Sequence, residues 1–306
     1  MKSFRIESVG SYMEFRVLKY FLAVAREENI SAAAESLHVT QPTLSRQLMD
    51  LEEELGKTLF TRGNRRITLT EEGMLLRKRA EEIVNLVDKT EAEIMDSDDD
   101  ISGDVYIGSG ETEGVRLIAK AARQLQAEGY NIRYHLFSGN AVSVAERIDK
   151  GLIDFGIFSE ATNLQKYDSI RLPYTDTWGV LMRKDSPLAQ KTVVCPKDLW
   201  ELPLIVSQQA NDNNELSGWM KRDREQLRIV ATYNLLYNAS LMVEEGLGYA
   251  ICFDKLIKIT EGGALCFKPL RPARTARLEI AWKRHQVFSK AADLFLKNFR
   301  RILNCN

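Results

Sequence analysis

HVTQPTLSRQLMDLEEELG, residues His38 to Gly56, places a proline near the start of a stretch that is otherwise helical in pattern. Leu44, Leu48, Leu51 and Leu55 recur at intervals of four, three and four, so one face is committed to a core. Thr40 is a capping residue. Gln41 and Pro42 then fall in the first turn, where backbone amides lack an intrahelical partner and proline is tolerated. The other faces change character along the rod: Gln41, Thr43, Ser45, Arg46 and Gln47 offer hydrogen-bonding groups, whereas Asp50, Glu52, Glu53 and Glu54 are acidic. A polyanion would accept the first half and be repelled by the second. Taken alone, such a helix could be a core element of any enzyme with a solvated face, so its neighbours decide.

Upstream, MEFRVLKYFLAVAREEN from Met13 spaces Phe15, Leu18, Leu22 and Ala25 as one apolar helical face. SAAAESL follows, with Ser31 as the expected N-cap, Glu35 beyond it, and three alanines that permit close approach of another backbone. HVT is a short turn into the third helix. Downstream, LFTRGNRRITLTEEG sets Arg62, Arg65 and Arg66 around a turn at Gly63 and Asn64, ahead of a β-like ITL. This is the pattern of a wing lying along a phosphate backbone. Two helices, a turn, a third helix and a wing predict a winged helix-turn-helix whose third helix enters the major groove by its N-terminal end. Arg46 suits guanine N7 and O6, Gln41 or Gln47 suits adenine, and Thr43 and Ser45 suit phosphates or a thymine methyl.

The run LKYFLAVAREENISAAAESLHVTQPTLSRQLMDLEEELGKTLFTRGNRRITLTEEG resembles the N-terminal domain of LysR-type transcriptional regulators. The alanine-rich second helix, Q-P-x-L-S-R, L-E-x-E-L-G, L-F-x-R and L-T-x-x-G appear in family order. The resemblance implies major-groove contacts from Gln41, Pro42, Thr43, Ser45 and Arg46 and wing contacts from Arg62 and Arg65. With Thr40, Gln47 and Arg66 these complete the DNA-binding candidates. Family members begin near Met13, so residues 1–12 read as an extension.

Thr70 is the expected cap of a long helix, EEGMLLRKRAEEIVNLVDKTEAEIM. Leu76, Ala80, Ile83, Val87, Thr90 and Ile94 alternate spacings of four and three, a narrow seam that wants a partner helix. A homodimer is expected, which presents two recognition helices to a two-fold DNA site, with a homotetramer as the larger assembly. Packing within one chain is the alternative. The acidic run DSDDD reads as a hinge, because acids at a helix C-terminus oppose its dipole.

From Asp104, strand, glycine turn and helix alternate twice, and LIDFGIF supplies a third strand, which predicts a parallel sheet with ligand loops at the strand carboxyl ends. A second set begins near Pro173. Two α/β lobes joined by crossing strands leave a cleft for a small ligand. The resemblance implies a two-lobed, periplasmic-binding-protein-like effector domain, carried in residues mainly by EEGLGYAI. By position the effector meets Ser109, Gly110, Glu111, Thr112, Ser138, Gly139, Asn140, Ser207 and Gln208. Glu111 and Glu113 either face the cleft and disfavour a dicarboxylate, or complement their own helix dipole and say nothing of the ligand.

The expected fold class is therefore mixed: an all-α winged helix-turn-helix over 13–70, a linker helix over 71–98, and an α/β effector domain over 99–306. Lobe I takes 102–172 and 279–306, and lobe II takes 173–278. The expected function is an effector-controlled, sequence-specific DNA-binding transcriptional regulator, partnered by double-stranded DNA and a small molecule. The formal net charge of -1 gives no global hint of nucleic acid, so that reading rests on local placement of bases.

Alternatives weaken on inspection. An enzyme would need a catalytic constellation, and with His38, His135 and His285 the only histidines none has catalytic or metal-ligand spacing. No cofactor is expected. Gly108, Gly110 and Gly114 imitate a dinucleotide fingerprint, but Glu113 stands in place of its third glycine. A transporter's solute-binding protein would need export, and MKSFRIESVGSY lacks an apolar core. The cysteines 195, 252, 266 and 305 contain no C-x-x-C pair, which fits a reducing cytoplasm, with a Cys252–Cys266 redox switch as a minor alternative. No segment is apolar enough for a membrane span.

Overall fold

The first helix, α1 (Phe15–Glu27), buries Val17, Leu18, Phe21 and Val24 in the computed structural model, which describes residues 13–63, 66–95, 101–159, 165–209 and 215–304. The core face is therefore rotated from the expected one: of Phe15, Leu18, Leu22 and Ala25, only Leu18 is fully buried. Both faces satisfy the helical period; the one chosen meets α2, α3 and α4. Helix α2 (Ile30–Ser36) is capped by Asn29, whose Oδ1 accepts from Ser31 and Ala32 N–H at 2.8 and 3.1 Å. Ser31, the expected cap, lies inside the helix. Ala33 and Ala34 are buried, as their close-packing role requires.

Helix α3 (Gln41–Leu55) begins where expected, with the Thr40 hydroxyl accepting from Thr43 N–H, and buries Leu44, Leu48 and Leu51. Strands β1 (Phe60–Arg62) and β2 (Ile67–Leu69) pair antiparallel with Phe60 opposite Leu69, so the unit is helical with a two-stranded wing rather than all-α. Helix α4 (Glu71–Met95) follows, with the Thr70 hydroxyl accepting from Gly73 N–H at 3.0 Å. Leu76, Ala80 and Val84 of α4 pack into the core of this unit. Two residues of the expected dimer seam, Leu76 and Ala80, are thus spent within the chain. Leu75, Ile83, Leu86 and Ile94 are left exposed along the helix. The expected hinge at 96–100 and the extension over 1–12 fall outside the described residues.

The second unit spans Asp96–Asn306. Its elements are β3 (Ser102–Ser109), α5 (Val115–Ala127), β4 (Asn131–Ser138), α6 (Ala141–Asp149), β5 (Phe155–Ser159), β6 (Tyr167–Arg183) and β7 (Leu204–Ser207). They continue with α7 (Glu215–Met220), β8 (Ile229–Tyr233), α8 (Leu236–Glu244), β9 (Tyr249–Phe253), β10 (Leu265–Pro269), β11 (Thr275–Lys283) and α9 (Lys290–Asn304). Strand order is β4-β3-β5-β11-β6-β9-β7-β8, with β10 on the other edge of β6. The parallel pairing expected from βαβ alternation holds for β4-β3-β5 and for β8-β7-β9, while β11 and β6 run antiparallel to their neighbours.

Strand β6 makes both lobes. It pairs with β11 as far as Thr177 and with β9 from Trp178. Pro173, expected to open the second lobe, lies inside this strand, and the β6–β11 ladder shifts register between Arg277 and Glu279 beside it. A bulge accommodates a residue that has no N–H to give the ladder, so the strand runs on and the change of sheet falls at Trp178. On the return, β11 joins the first lobe's sheet at Thr275 rather than at Glu279. Helices α5 and α9 cover one face of the first lobe's sheet, and Val144 and Ile148 of α6 pack on the other. In the second lobe Leu216 and Met220 of α7 lie on one face, and Leu236, Ala239 and Val243 of α8 on the opposite one.

Candidate DNA-reading surface and effector cleft

On α3, burial of the leucine face turns the N-terminal residues outward: Gln41, Pro42, Thr43 and Arg46 are exposed, and Ser45 and Gln47 half-buried. Arg46 makes no ion pair among the described residues. The Thr40 hydroxyl lies 2.8 Å from that of Thr43, so these two residues are tied to each other at the helix tip. In the wing, Arg66 pairs with Glu28 at 3.4 Å, both side chains being largely exposed. The Arg62 side chain and Arg65 are outside the described residues.

The acidic half of α3 is not uniform. Asp50, Glu53 and Glu54 are exposed, but Glu52 Oε1 accepts from the Leu59 and Phe60 amides at 2.6 and 3.1 Å. This carboxylate grips the start of the wing strand instead of facing solvent. No local pattern distinguishes it from Glu53, because its partners lie beyond the helix C-cap.

In the second unit, a cavity of about 350 Å³ opens between the lobes. Ile157, Phe158 and Leu278 of one lobe and Trp178 and Phe253 at the other supply apolar wall, with Arg274 as a cation. The Trp178 and Phe253 rings meet at a tilt of 53° with centroids 4.3 Å apart, and the Arg274 guanidinium lies 5.8 Å from the Trp178 ring. Gly110, Glu111, Thr112 and Ser207 line this cavity. Ser138, Gly139, Asn140 and Gln208 line an adjoining hollow that shares Gly110, Glu111 and Ser207 with it. Of the nine expected effector contacts, Ser109 lines neither; it is buried and its hydroxyl donates to the Gly110 carbonyl at 2.6 Å. Trp178, Phe253, Arg274 and Gln209 were missed by the sequence reading. The first three gather only when β6, β9 and β11 meet.

Glu111 and Glu113 divide. Glu113 pairs with Arg116 one turn along its own helix, as dipole complementation would have it. Glu111 faces the cleft, the first of the two expectations, and its carboxylate reaches across to accept from the Leu236 amide at the start of α8. Thr112 donates to Asp176, a buried residue of β6 whose carboxyl is pushed above the ordinary range by burial, against the Thr112 hydrogen bond and reinforced by the charge of Asp254.

Two of the three dinucleotide-like glycines, Gly108 and Gly114, answer to packing. A Cβ at Gly108 would come within 2.6 Å of Ile153 Cδ1, and one at Gly114 within 2.7 Å of Leu278 Cδ1. The redox alternative fails on geometry. Cys252 lies opposite Gly179 and Cys266 opposite Met182 on the two edges of β6, two ladder spacings across and three residues along, so their Cα atoms sit about 14 Å apart, beyond disulfide reach. Cys252 is also buried, which holds its thiol well above the usual range and keeps it un-ionised.

The family described as bacterial regulatory helix-turn-helix protein, lysR family, matches residues 15–74, and the LysR substrate binding domain matches 98–303. The chain belongs to the LysR family. It is a DNA-binding transcriptional regulator with a C-terminal effector-binding domain. The HTH-type transcriptional regulator BsdA of Bacillus subtilis is 31% identical over 165 residues, 54% of this chain and 56% of that protein. A probable RuBisCO transcriptional regulator of Phaeodactylum tricornutum is 27% identical over 95% of this chain and 96% of its own length. Among solved structures, full-length CbnR complexed with its target DNA superposes with a TM-score of 0.72 at 20% identity, covering 94% of this chain and 99% of that one. Among the described residues no helix is long and apolar enough to cross a membrane.

Proposed function

We propose that two copies of this LysR-family chain pair through the exposed apolar stripe of α4 and offer two α3 tips to a two-fold DNA site in the cytoplasm, with dimers pairing further into a tetramer. Arg46, Gln41 and Gln47 read base edges, Thr43 and Ser45 reach phosphates or a thymine methyl, and Pro42 stiffens the tip. Thr40, whose hydroxyl is spent as a cap, positions the helix. Arg62, Arg65 and Arg66 follow the backbone, with Arg66 exchanging Glu28 for a phosphate.

The observation that carries this reading is the pairing of a buried leucine face with an exposed, hydrogen-bonding N-terminal half on one helix. A small effector enters between the lobes, against Gly110, Glu111, Thr112, Ser207 and the adjoining loop from Ser138 to Asn140. It shifts the assembly by binding one arrangement of lobes better than another.

Fluorescence anisotropy with DNA from upstream of the protein's own gene, beside a random duplex of equal length, tests the DNA reading. Arg46→Ala is expected to cost roughly 1 to 3 kcal/mol on the specific duplex and much less on the random one. Equal losses on both would remove Arg46 from base readout.

A further inference from the structure

Two hydrogen bonds cross the cleft, each running from a side chain of one lobe to the first helical amide of the other. Glu111, in the loop after β3, accepts from Leu236 N–H at the start of α8. Gln209, beyond β7, accepts through Oε1 from Ala141 N–H at the start of α6, at 3.1 Å. First-turn amides have no partner inside their own helix. Neither helix meets the need locally: Leu235 gives α8 no side-chain cap, and Asn140 caps α6 through Ser143 N–H, leaving Ala141 to Gln209.

Position gives these bonds leverage. The lobes join where β6 and β11 cross, and there Trp178 N–H donates to the Arg274 carbonyl at 2.9 Å. From that crossing the sheet runs outward through β5, β3 and β4 in one lobe and through β9, β7 and β8 in the other. One bond joins the β3 loop to the β8 loop, and the other joins the β7 loop to the β4 loop. Both lie two to three strands from the crossing, about 10 to 15 Å at the spacing of neighbouring strands. A bond at that radius resists rotation of one lobe against the other, which a bond at the crossing would not.

We infer that Glu111 and Gln209 form a reciprocal latch that holds the cleft closed before any effector is bound. Both residues line the cavity, so an incoming molecule meets the latch itself and must release it to settle. The inference rests on the effector reading of this cleft, and it states how entry to the site is regulated.

Hydrogen–deuterium exchange on the full chain with no added ligand separates a latch from two local caps. Cutting either bond speeds exchange at the amide it covered in both cases, so the informative readout is the opposite bond. Glu111→Ala is expected to speed exchange around Ala141 by about fivefold, and Gln209→Ala to do the same around Leu236, as for the loss of one hydrogen bond's worth of closure. Protection in α5 and α9 should stay unchanged, which reports an intact fold. Glu111→Gln, which keeps an acceptor, and Gln209→Asn, which shortens the reach, provide gentler variants: the first should retain protection at both amides and the second lose it at both. If each substitution speeds exchange only at its own amide, the latch is overturned. DNA affinity measured on the same preparations tests the regulator reading separately, so either can fail without the other.

Discussion

Asp176 shows how a single buried charge sets a pH dependence. Its carboxyl lies on β6 with almost no exposure, and burial raises its affinity for a proton above that of the unfolded chain. A carboxyl shifted in this direction contributes stability at low pH and loses it as pH climbs from the unfolded value through the folded one. Asp176→Asn removes the charge while keeping an acceptor for the Thr112 hydroxyl. The variant is expected to melt higher than the wild type at about pH 8, with the gain shrinking as pH falls towards the ordinary carboxylate range of about 4 and the Asp176 carboxyl takes up its proton. Thermal melts across that range check it; a lower melting temperature at the alkaline end would contradict it. At the same scale, the exposure of Arg46 was legible because its position lies off the leucine face of α3. The partner of Glu111 was not, because Leu236 lies 125 residues away and no local spacing encodes it.

Helix ends and faces were readable in their periods and less so in their details. The limits of α3 and α4 follow from Thr40 and Thr70, each of which caps as its position predicts. For α2 both Asn29 and Ser31 are competent caps, and Asn29 wins because it alone adopts the extended backbone that aims its oxygen at the amides two and three residues on. Asn29→Ala is accordingly expected to cost about 1 kcal/mol in urea unfolding, with Ser31→Ala within about half of that. Equal costs would return the cap to Ser31. For α1 the period is right and the buried stripe is rotated, since Phe15 and Leu22 share a helix with Val17, Phe21 and Val24 and either set satisfies the spacing. In β6, Pro173 reads as a break and is a bulge, a distinction made by the neighbouring strand.

Across the whole molecule, α4 has two apolar faces and one chain uses only one of them. Leu76, Ala80 and Val84 close the core of the first unit, and Leu75, Ile83 and Leu86 remain in solvent. Burying a leucine or isoleucine contributes roughly 1.5 to 3 kcal/mol, so a stripe of this kind is sufficient to hold a second copy. Replacing Leu75 and Ile83 together with serine is expected to shift the protein towards monomer in sedimentation velocity and to weaken binding to a two-fold DNA site. Lys78→Ser, on the same helix but off the stripe, should leave the assembly intact. An unchanged sedimentation coefficient for the double variant would remove α4 from the interface.

What the sequence by itself determined were features whose local period or cap has no rival nearby: the existence of the three short helices and wing, the long helix, the alternation of strand and helix, and the hydrogen-bonding tip of α3. Such features are written in the few residues around them, and their physics is that of one turn or one pleat. Only the tertiary structure decided which of two equivalent faces is buried, where β6 passes from one sheet to the next, and what Glu52, Glu111 and Gln209 hold. A period specifies that a face is buried but not against what, and a hydrogen bond between distant segments exists only once the chain has brought them together.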